Sequence, residues 1–191
     1  AQRRMYILNQ LEEASTSYNV PAVLLLEGDL DQNRLESAFR ALISRHETLR
    51  TSFAVIDGDI VQHVHEDVLF TLTVSQAEEA EAESKIDGFI RPFQLDQAPL
   101  VRAELVQLEE KRHLLLIDMH HIITDGSSTG IFIRDLAQLY HGGDLPAQKL
   151  HYKDFAVWQN EQERTGKLKK QEQYWLDVFK GELPVLDLPY D

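Results

Sequence analysis

The sequence contains no cysteine, and this absence excludes several kinds of protein at once. Disulfide bonds, thiolate zinc sites, iron–sulfur clusters and a cysteine nucleophile all need the missing residue. No apolar run approaches the roughly 20 residues that a membrane-spanning helix needs. The chain also lacks the glycine-rich patterns that bind dinucleotides or phosphates. The lack of cysteine is consistent with a cytoplasmic enzyme.

Positive charge is also scarce. Lys and Arg total 19 against 32 Asp and Glu, so the formal net charge is −13. A nucleic-acid-binding protein needs a basic surface, and this balance argues against that class. The sequence contains no HExxH pattern, which excludes a zincin, and no GxSxG turn, which argues against a serine hydrolase.

Length and composition predict one domain with its own core. Hydrophobic residues make up 43% of the 191 residues and charged residues 27%, as in ordinary soluble globular proteins. The first residues, "AQRRMYILNQ", include neither an initiator Met nor the apolar segment of a signal peptide. We therefore expect the chain to be part of a longer protein.

Hydrophobic patterning predicts both helices and strands. The segment "YNVPAVLLLEG" is an unbroken apolar run, typical of a strand covered on both faces. A helix follows it, with apolar residues at helical spacing. These predicted core residues are Leu35, Ala38, Phe39, Leu42 and Ile43.

Two hairpins are predicted, one turning at Asp57-Gly58 and the other near Glu109 to Lys111. Further helices are predicted from about Ser128 to Tyr140 and over residues 150–166 and 167–181. This mixture of helices and hairpins predicts an α/β class, that is, an α+β arrangement around a mixed sheet.

The segment "LLLIDMHHIITDGSSTG", residues 114–130, joins an apolar strand to two histidines and an aspartate. Side chains alternate along a strand, so His121 shares a face with Met119, and His120 shares the other face with Asp118. The two imidazoles therefore point in opposite directions, and at most one enters a given site. For the same reason the adjacent pair is a poor metal chelate, and we expect no metal.

The loop after the histidines carries the other candidates. Gly126 permits a sharp turn, and Ser127 or Ser128 is expected to cap the following helix. Asp125 is close enough either to orient a histidine or to pair with an arginine. A buried histidine and an Asp–Gly turn are more often structural than catalytic, so both interpretations stay open at this point.

Four segments, taken together, resemble a known family. "MHHIITDG" resembles the HHxxxDG signature of condensation domains in nonribosomal peptide synthetases. "AQRRMYIL", "RHETLRTSF" and "YKDFAVW" are similar to that family's first, second and fourth motifs, in the same order. In the fourth, Tyr152 and Trp158 are aromatics at helical spacing and are predicted to pack in a core. The later motifs are missing, so the chain resembles the N-terminal lobe alone.

The resemblance implies a fold and an activity. Condensation domains have two lobes, each similar to chloramphenicol acetyltransferase, a two-layer sandwich. An upstream carrier protein presents a donor acyl or peptidyl thioester on 4'-phosphopantetheine, and a downstream carrier presents an acceptor aminoacyl thioester. The acceptor amine attacks the donor carbonyl and an amide forms. The chain itself is expected to bind no cofactor directly.

The resemblance also implies roles for individual residues. His121 matches the histidine at the reaction centre, as a general base or as a group that positions the amine or stabilises the tetrahedral intermediate. His120 matches a structural residue, and the N–H of Gly126 is expected to help stabilise an oxyanion. Asp125 matches a structural aspartate.

The resemblance implies that the arginines of the second motif support the loop and that the two serines after Gly126 line the substrate tunnel. The expected partner of Asp125 is an arginine of the second motif, and we favour Arg45 over Arg50. Ser127 and Ser128 match positions that shape the donor side of the tunnel.

The expected organisation is an N-terminal lobe over residues 1–180 and a linker toward a missing C-terminal lobe over residues 181–191. The expected partners are the two carrier proteins and that lobe, with no nucleic acid and no membrane. Two alternatives stay open: an epimerization-type relative, and an incomplete lobe that only binds a carrier protein.

Overall fold

The computed structural model describes residues 2–11 and 15–183. The chain divides into two compact units, Ala1–His151 and Tyr152–Asp191. Most of the predicted linker, from residue 184 onward, lies outside the described residues. The bounds expected for the lobe and the linker therefore stay a prediction.

The strands of the first unit cover Asn19–Glu27 (β1), Thr51–Ile56 (β2), Asp59–Val64 (β3), Thr73–Gln76 (β4), Val101–Glu109 (β5) and Arg112–His120 (β6). Four of them form a mixed sheet in the order β1-β6-β5-β4. The pairs β1–β6 and β5–β6 are antiparallel, and β4–β5 is parallel, which confirms the predicted mixed sheet. A separate two-stranded sheet pairs β2 with β3.

Helices surround this sheet in the first unit and make up the regular structure of the second. The α-helices are α1 Gln2–Leu11, α2 Gln32–Arg45, α3 Ala82–Phe89, α4 Gly126–Tyr140, α5 Tyr152–Arg164 and α6 Lys169–Val178. Short 3-10 helices cover Glu47–Arg50 and Glu79–Glu81. No helix in the described part of the chain is both long and apolar enough to cross a membrane.

The main core lies between one face of the sheet and helices α2 and α4. The five predicted core residues of α2 are all buried there, which confirms the predicted helical face. From β6 this core receives Leu115, Ile117 and Met119. The opposite face of β6 packs Leu116 into a smaller cluster with Phe89 of α3. The side chains of β6 therefore alternate between two packed layers, as its sequence predicts.

Strand β1 is covered on one face only. Val23 and Leu25 alternate with partly buried neighbours and are 43% and 49% exposed. The expectation that both faces of this apolar strand are covered is therefore wrong for the described chain. The outward face carries the apolar side chains of Val23 and Leu25, but no residue that the structure describes covers them.

Both predicted hairpins are present. Asp57 and Gly58 have φ angles of 53° and 86°, the left-handed backbone that a tight hairpin turn requires. The second hairpin joins β5 to β6, and its turn lies at the predicted position. This second hairpin leads into β6, an internal strand whose C-terminal end carries the histidines.

Within its described residues, the second unit contains helices α5 and α6, as predicted. No residue of either helix is buried. Trp158 is 56% exposed and Trp175 is 54% exposed. The prediction that Trp158 packs in a core is therefore wrong for this chain, although its ring contacts that of Phe155 at a centroid distance of 5.7 Å.

Candidate active site

The two adjacent histidines lie where β6 leaves the sheet. The strand ends at His120, whose backbone N–H donates to the carbonyl oxygen of Leu100 at 3.0 Å. The N–H of His121 donates to the carbonyl oxygen of Tyr18 at 2.7 Å. Segments on both sides of β6 therefore fix the backbone that carries the two imidazoles.

The imidazoles have opposite environments. His120 is 1% exposed, whereas His121 is exposed. This difference agrees with the strand alternation read from the sequence. The ring of His121 makes no hydrogen bond or ion pair with the residues that the structure describes. The His121 ring thus faces solvent on a backbone that is fixed by a hydrogen bond to Tyr18.

His120 is held as a neutral ring. Its Nδ1 accepts the N–H of Ile122 at 3.0 Å, and the rings of Tyr18 and Phe93 lie 6.1 and 6.2 Å away. Burial, with a smaller contribution from the neighbouring His121, lowers the pKa of His120 to about 4. Because Nδ1 accepts a hydrogen bond in this neutral ring, the proton must be on Nε2.

Asp125 caps helix α4. Its Oδ1 accepts the N–H of Ser128 at 2.8 Å, and its own N–H donates to the Ser128 hydroxyl at 2.7 Å. These two bonds form a capping box, which satisfies donors that a helix start leaves free. The hydrogen bond from the Ser128 backbone is the main reason why the pKa of Asp125 lies below its usual range. The helix begins at Gly126, two residues before the predicted start, because Asp125 and not a serine is the cap.

The expected pairing of Asp125 with Arg45 is wrong. The carboxylate that Arg45 contacts is that of Asp135, with 3.7 Å between Nε and Oδ2. The side chain of Asp125 instead accepts the N–H of Ser128 in the first turn of α4. This bond fixes the loop to the start of the helix. The Asp125 carboxylate therefore caps α4. It neither orients a histidine nor pairs with an arginine, the two roles expected from the sequence.

Asp135 is the centre of a buried polar cluster that the sequence did not predict. The residue is 2% exposed, and its carboxylate contacts His46 Nε2 at 3.1 Å and Arg134 at 2.8 Å. On its other side His46 Nδ1 contacts Nε2 of Gln148 at 2.9 Å. Burial raises the pKa of Asp135, but the hydrogen bonds from Arg134 and His46 outweigh that effect and lower it overall. This cluster joins α4 to the end of α2.

Arg50 stabilises the start of the β2–β3 hairpin. It donates to the carbonyl oxygens of His65 and Ser44, and its guanidinium lies 3.6 Å from Glu47. Partly buried and bonded to three neighbours, it is not a simple surface charge. These contacts agree with a structural role and place Arg50 away from the Asp125 side chain.

Gly126 and Ser127 occupy the first turn of α4 and are exposed. A Cβ added at Gly126 would meet no atom within 4 Å, and φ there lies outside the left-handed region. Nothing in the described chain therefore requires a glycine at this position. Ser128 lines a cavity of about 130 Å³ together with Thr124, Ile131 and Gln148.

The structure thus brings together His121, Asp125 and the residues from 126 to 128, because the strand end, the loop and the helix start are consecutive. Arg45 and Arg50 lie elsewhere: Arg45 contacts Asp135 of α4, and Arg50 contacts Ser44, Glu47 and His65. The signal for Asp135 was present in the sequence: a carboxylate stands at a core-facing position between Phe132 and Leu136. No group of three or more His, Asp or Glu side chains within residues 2–11 and 15–183 is arranged to hold a metal ion.

Comparison with known families decides the classification. The family model described as "Condensation domain" matches residues 1–191. The chain belongs to the condensation domain family. The resemblance read from the four motifs is therefore confirmed.

Surfactin synthase subunit 2 of Bacillus subtilis (strain 168) is 65% identical to this condensation domain chain over 191 residues. The match covers 100% of the chain and 5% of that relative, so the chain spans a small part of it. The relative is a nonribosomal peptide synthetase subunit.

Solved structures of condensation-type domains have the same fold. The complex of the X-domain and OxyB from teicoplanin biosynthesis contains a chain 30% identical, with a TM-score of 0.87. The match covers 100% of this chain and 44% of that one. The condensation domain from Monacolin K polyketide synthase has a TM-score of 0.84 at 24% identity, with 97% and 43% covered. The chain therefore has the chloramphenicol acetyltransferase-like fold and forms one lobe of a two-lobe domain.

Proposed function

We propose that this chain supplies one half of a site that joins two carrier-bound substrates through an amide bond. The observation that carries the proposal is the exposed ring of His121 on a backbone fixed by Tyr18, directly before the N-terminus of α4. Membership of the condensation domain family and the similarity to a nonribosomal peptide synthetase subunit support the reaction class.

The proposed reaction takes a donor acyl or peptidyl thioester and an acceptor aminoacyl thioester, each on the 4'-phosphopantetheine arm of a carrier protein. The acceptor nitrogen forms a bond to the donor carbonyl carbon, and the carbon–sulfur bond breaks. The nitrogen loses a proton and the released sulfur gains one, so the products are an amide and a free thiol. The reaction consumes no metal and no redox cofactor.

His121 and Gly126 are the catalytic residues of this proposal. Imidazole side chains transfer protons in many enzymes, so we assign to His121 the removal of the proton from the attacking nitrogen. The N–H of Gly126 is in the first turn of α4, where helix N–H groups are free and the helix dipole favours negative charge. It therefore suits an oxyanion that develops on the donor carbonyl.

The other predicted residues are assigned supporting roles. His120, Asp125, Arg45 and Arg50 hold the strand end, the helix cap and the neighbouring motif. Ser127 and Ser128 are assigned to the donor side of the tunnel, and the cavity beside Ser128 supports that assignment.

The proposal includes partners outside the chain. They are an upstream donor carrier, a downstream acceptor carrier and the C-terminal lobe of the same domain, reached through a linker over residues 181–191. The lobe itself is assigned to residues 1–180, and the reaction to the cytoplasm. The share of the teicoplanin X-domain that the chain covers, 44%, supports a missing second lobe.

The test is amide formation between two loaded carrier proteins, read by mass spectrometry. It compares the 191-residue chain with a protein extended through a second lobe. We expect product from the extended protein and none from the chain alone, because fixing both substrates supplies much of the rate. No product from either, with several correctly loaded carriers, would contradict the proposal. Loss of α-deuterium from a carrier-bound aminoacyl group would instead support the epimerization-type alternative.

Two of the roles considered for His121, proton removal and positioning of the amine, are separable by chemical rescue. If His121 takes the proton, free imidazole added to His121→Ala restores part of the rate, because a mobile base replaces the missing one. If the ring only positions the amine, added imidazole has no effect. The matched control is His141→Ala, which removes another exposed histidine and is expected to respond to imidazole no more than the unchanged protein does.

A further inference from the structure

The face of β6 behind the histidine motif contains a buried polar group that the proposed reaction does not use. Asp118 and His120 are two residues apart on β6, so their side chains share this face, and they are 0% and 1% exposed. Asn19 of β1 is the register partner of His120. Directly opposed residues in an antiparallel pair have Cβ atoms about 4.5–5.5 Å apart. The three polar side chains therefore lie close together.

Each of the three side chains has one polar atom without a hydrogen-bond partner among the residues that the structure describes. These atoms are Nε2 of His120, Oδ1 of Asp118 and Oδ1 of Asn19, and all three are buried. Buried polar groups in folded proteins are paired with protein or with ordered water. Three such atoms at neighbouring positions therefore indicate a shared partner.

The hydrogen-bonding character of each atom follows from its other contacts. His120 accepts at Nδ1, so its Nε2 carries a hydrogen and is a donor. Nδ2 of Asn19 donates to Oδ2 of Asp118 at 2.6 Å and to the carbonyl oxygen of Arg91 at 2.9 Å, which settles the orientation of the amide. Its Oδ1, like Oδ1 of Asp118, is therefore an acceptor. The group presents one donor and two acceptors.

One water molecule satisfies all three atoms, because it accepts one hydrogen bond and donates two. We propose that Asn19, Asp118 and His120 enclose a single bound water that joins Nε2 of His120 to the two free oxygens, and that this water-centred cluster positions the end of β6. Buried waters in proteins typically make about three hydrogen bonds of this kind.

Two further side chains close the cluster. The guanidinium carbon of Arg102 lies 3.6 Å from the centre of the Phe93 ring, and its Nε lies 3.6 Å from Oδ2 of Asp118. The Phe93 ring in turn stands edge-on to His120, with an interplanar angle of 89°. Phe93 and Arg102 thus cover the cluster on the side of β5. The same two residues line an open cavity of about 500 Å³.

The function of the cluster rests on the role proposed for His121. The water holds the His120 ring, and the ring holds the N–H of Ile122 on the far side of His121 in the chain. With both flanking residues fixed, the His121 backbone keeps one position relative to the substrate. Asn19 and Asp118 are therefore positioning residues, and their loss should lower kcat while KM stays the same.

The first test is a crystal structure of the extended domain with ordered water. The cluster predicts one water within hydrogen-bond distance of Nε2 of His120, Oδ1 of Asp118 and Oδ1 of Asn19. A direct hydrogen bond from His120 to either oxygen, or no water among these well-ordered atoms, would overturn the proposal. This result does not depend on activity, so it separates the cluster from the proposed function.

The second test compares two substitutions at one position. Asp118→Asn keeps the shape, and its amide can turn to donate to the same water, so we expect near-normal kcat. Asp118→Leu removes the bonding atoms, and we expect kcat to fall about 10-fold to 10²-fold, as for a misplaced catalytic group. Glu104→Leu is the matched control, because it removes a partly buried carboxylate from the same face and should leave kcat unchanged.

The outcomes of the second test are distinct. Equal kcat values for Asp118→Leu and Asp118→Asn, or a fall in Glu104→Leu as large as in Asp118→Leu, would overturn the positioning role. If His121→Ala keeps full activity, the function proposed for His121 fails, whereas the crystallographic water remains an independent result.

Discussion

Two neighbouring histidines of one motif have different chemistry because of their places on the strand. His121 presents an exposed ring beside the start of α4, whereas His120 is enclosed between Tyr18 and Phe93. Alternation along β6 was sufficient to predict from the sequence that the rings diverge. It was not sufficient to predict that the Asp125 carboxylate caps α4, because capping depends on the local path of the loop.

At the residue scale, the burial of His120 predicts an acid-sensitive fold. The pKa of His120 is about 4 in the folded chain against 6.5 for the ordinary group, so only the unfolded chain binds a proton here between these pH values. Stability is therefore lost as the pH falls from 6.5 to about 4, by roughly 3 kcal/mol from this residue. Urea unfolding of the chain and of His120→Phe across this pH range measures the effect.

The comparison between variants isolates the contribution of His120 from that of the acidic groups. We expect the free energy of unfolding of His120→Phe to rise relative to the unchanged chain as the pH falls through this window. His141→Gln, an exposed control, should follow the unchanged chain. A difference between His120→Phe and the unchanged chain that is constant with pH would contradict the assignment.

At the element scale, the contact between α2 and α4 is both apolar and polar. Periodicity predicted the buried stripe of α2 and the extent of α4 to within two residues. It did not predict that Asp135 binds His46 and Arg45 of the "RHETLR" segment, because a core-facing carboxylate does not reveal which residues of another element pack against it. Its position beside Phe132 and Leu136 places it in that interface, while Asp125 lies at the helix end.

Removing the Asp135 carboxylate should destabilise the α2–α4 contact. Asp135→Ala leaves His46 and Arg134 without their acceptor and removes the charge that Arg45 contacts, and a broken buried ion pair costs about 3–5 kcal/mol. Because Arg45 keeps some access to water, we expect a loss of about 2–3 kcal/mol in the free energy of unfolding. Chemical denaturation measures this loss.

A matched control for this prediction is Asp144→Ala, which removes an exposed carboxylate after the end of α4. It should change the free energy of unfolding by no more than about 0.5 kcal/mol. Equal stability of Asp135→Ala and Asp144→Ala would show that the Asp135 cluster contributes nothing to the fold.

At the scale of the whole molecule, the exposed apolar surfaces indicate a missing partner. The outward face of β1 carries Val23 and Leu25, and the exposed aromatics of α5 and α6 include Trp158 and Trp175. The sequence suggested that Val23, Leu25 and Trp158 are buried, and in the described chain they are exposed. We propose that a second lobe covers these apolar surfaces in a longer protein, since the chain covers 44% of the teicoplanin X-domain chain.

A charged substitution on β1 tests whether the second lobe covers this face. Leu25→Glu should be tolerated in the 191-residue chain, where the side chain is 49% exposed. In the extended protein we expect it to lower the free energy of unfolding by about 2 kcal/mol or more, because a buried charge lacks a partner. Thermal unfolding of both proteins, each with and without the substitution, provides the comparison. An equal effect in the two proteins would show that this face stays in solvent.

The central claim is that His121 is the catalytic centre of an amide-forming domain. The most direct test is single-turnover amide formation between two loaded carriers, with the extended protein and its His121→Ala and His141→Ala variants. We predict that His121→Ala lowers the rate about 10²-fold to 10⁴-fold, as loss of an acid–base group does, and that His141→Ala leaves it unchanged. An unchanged rate in a correctly folded His121→Ala protein would contradict the claim.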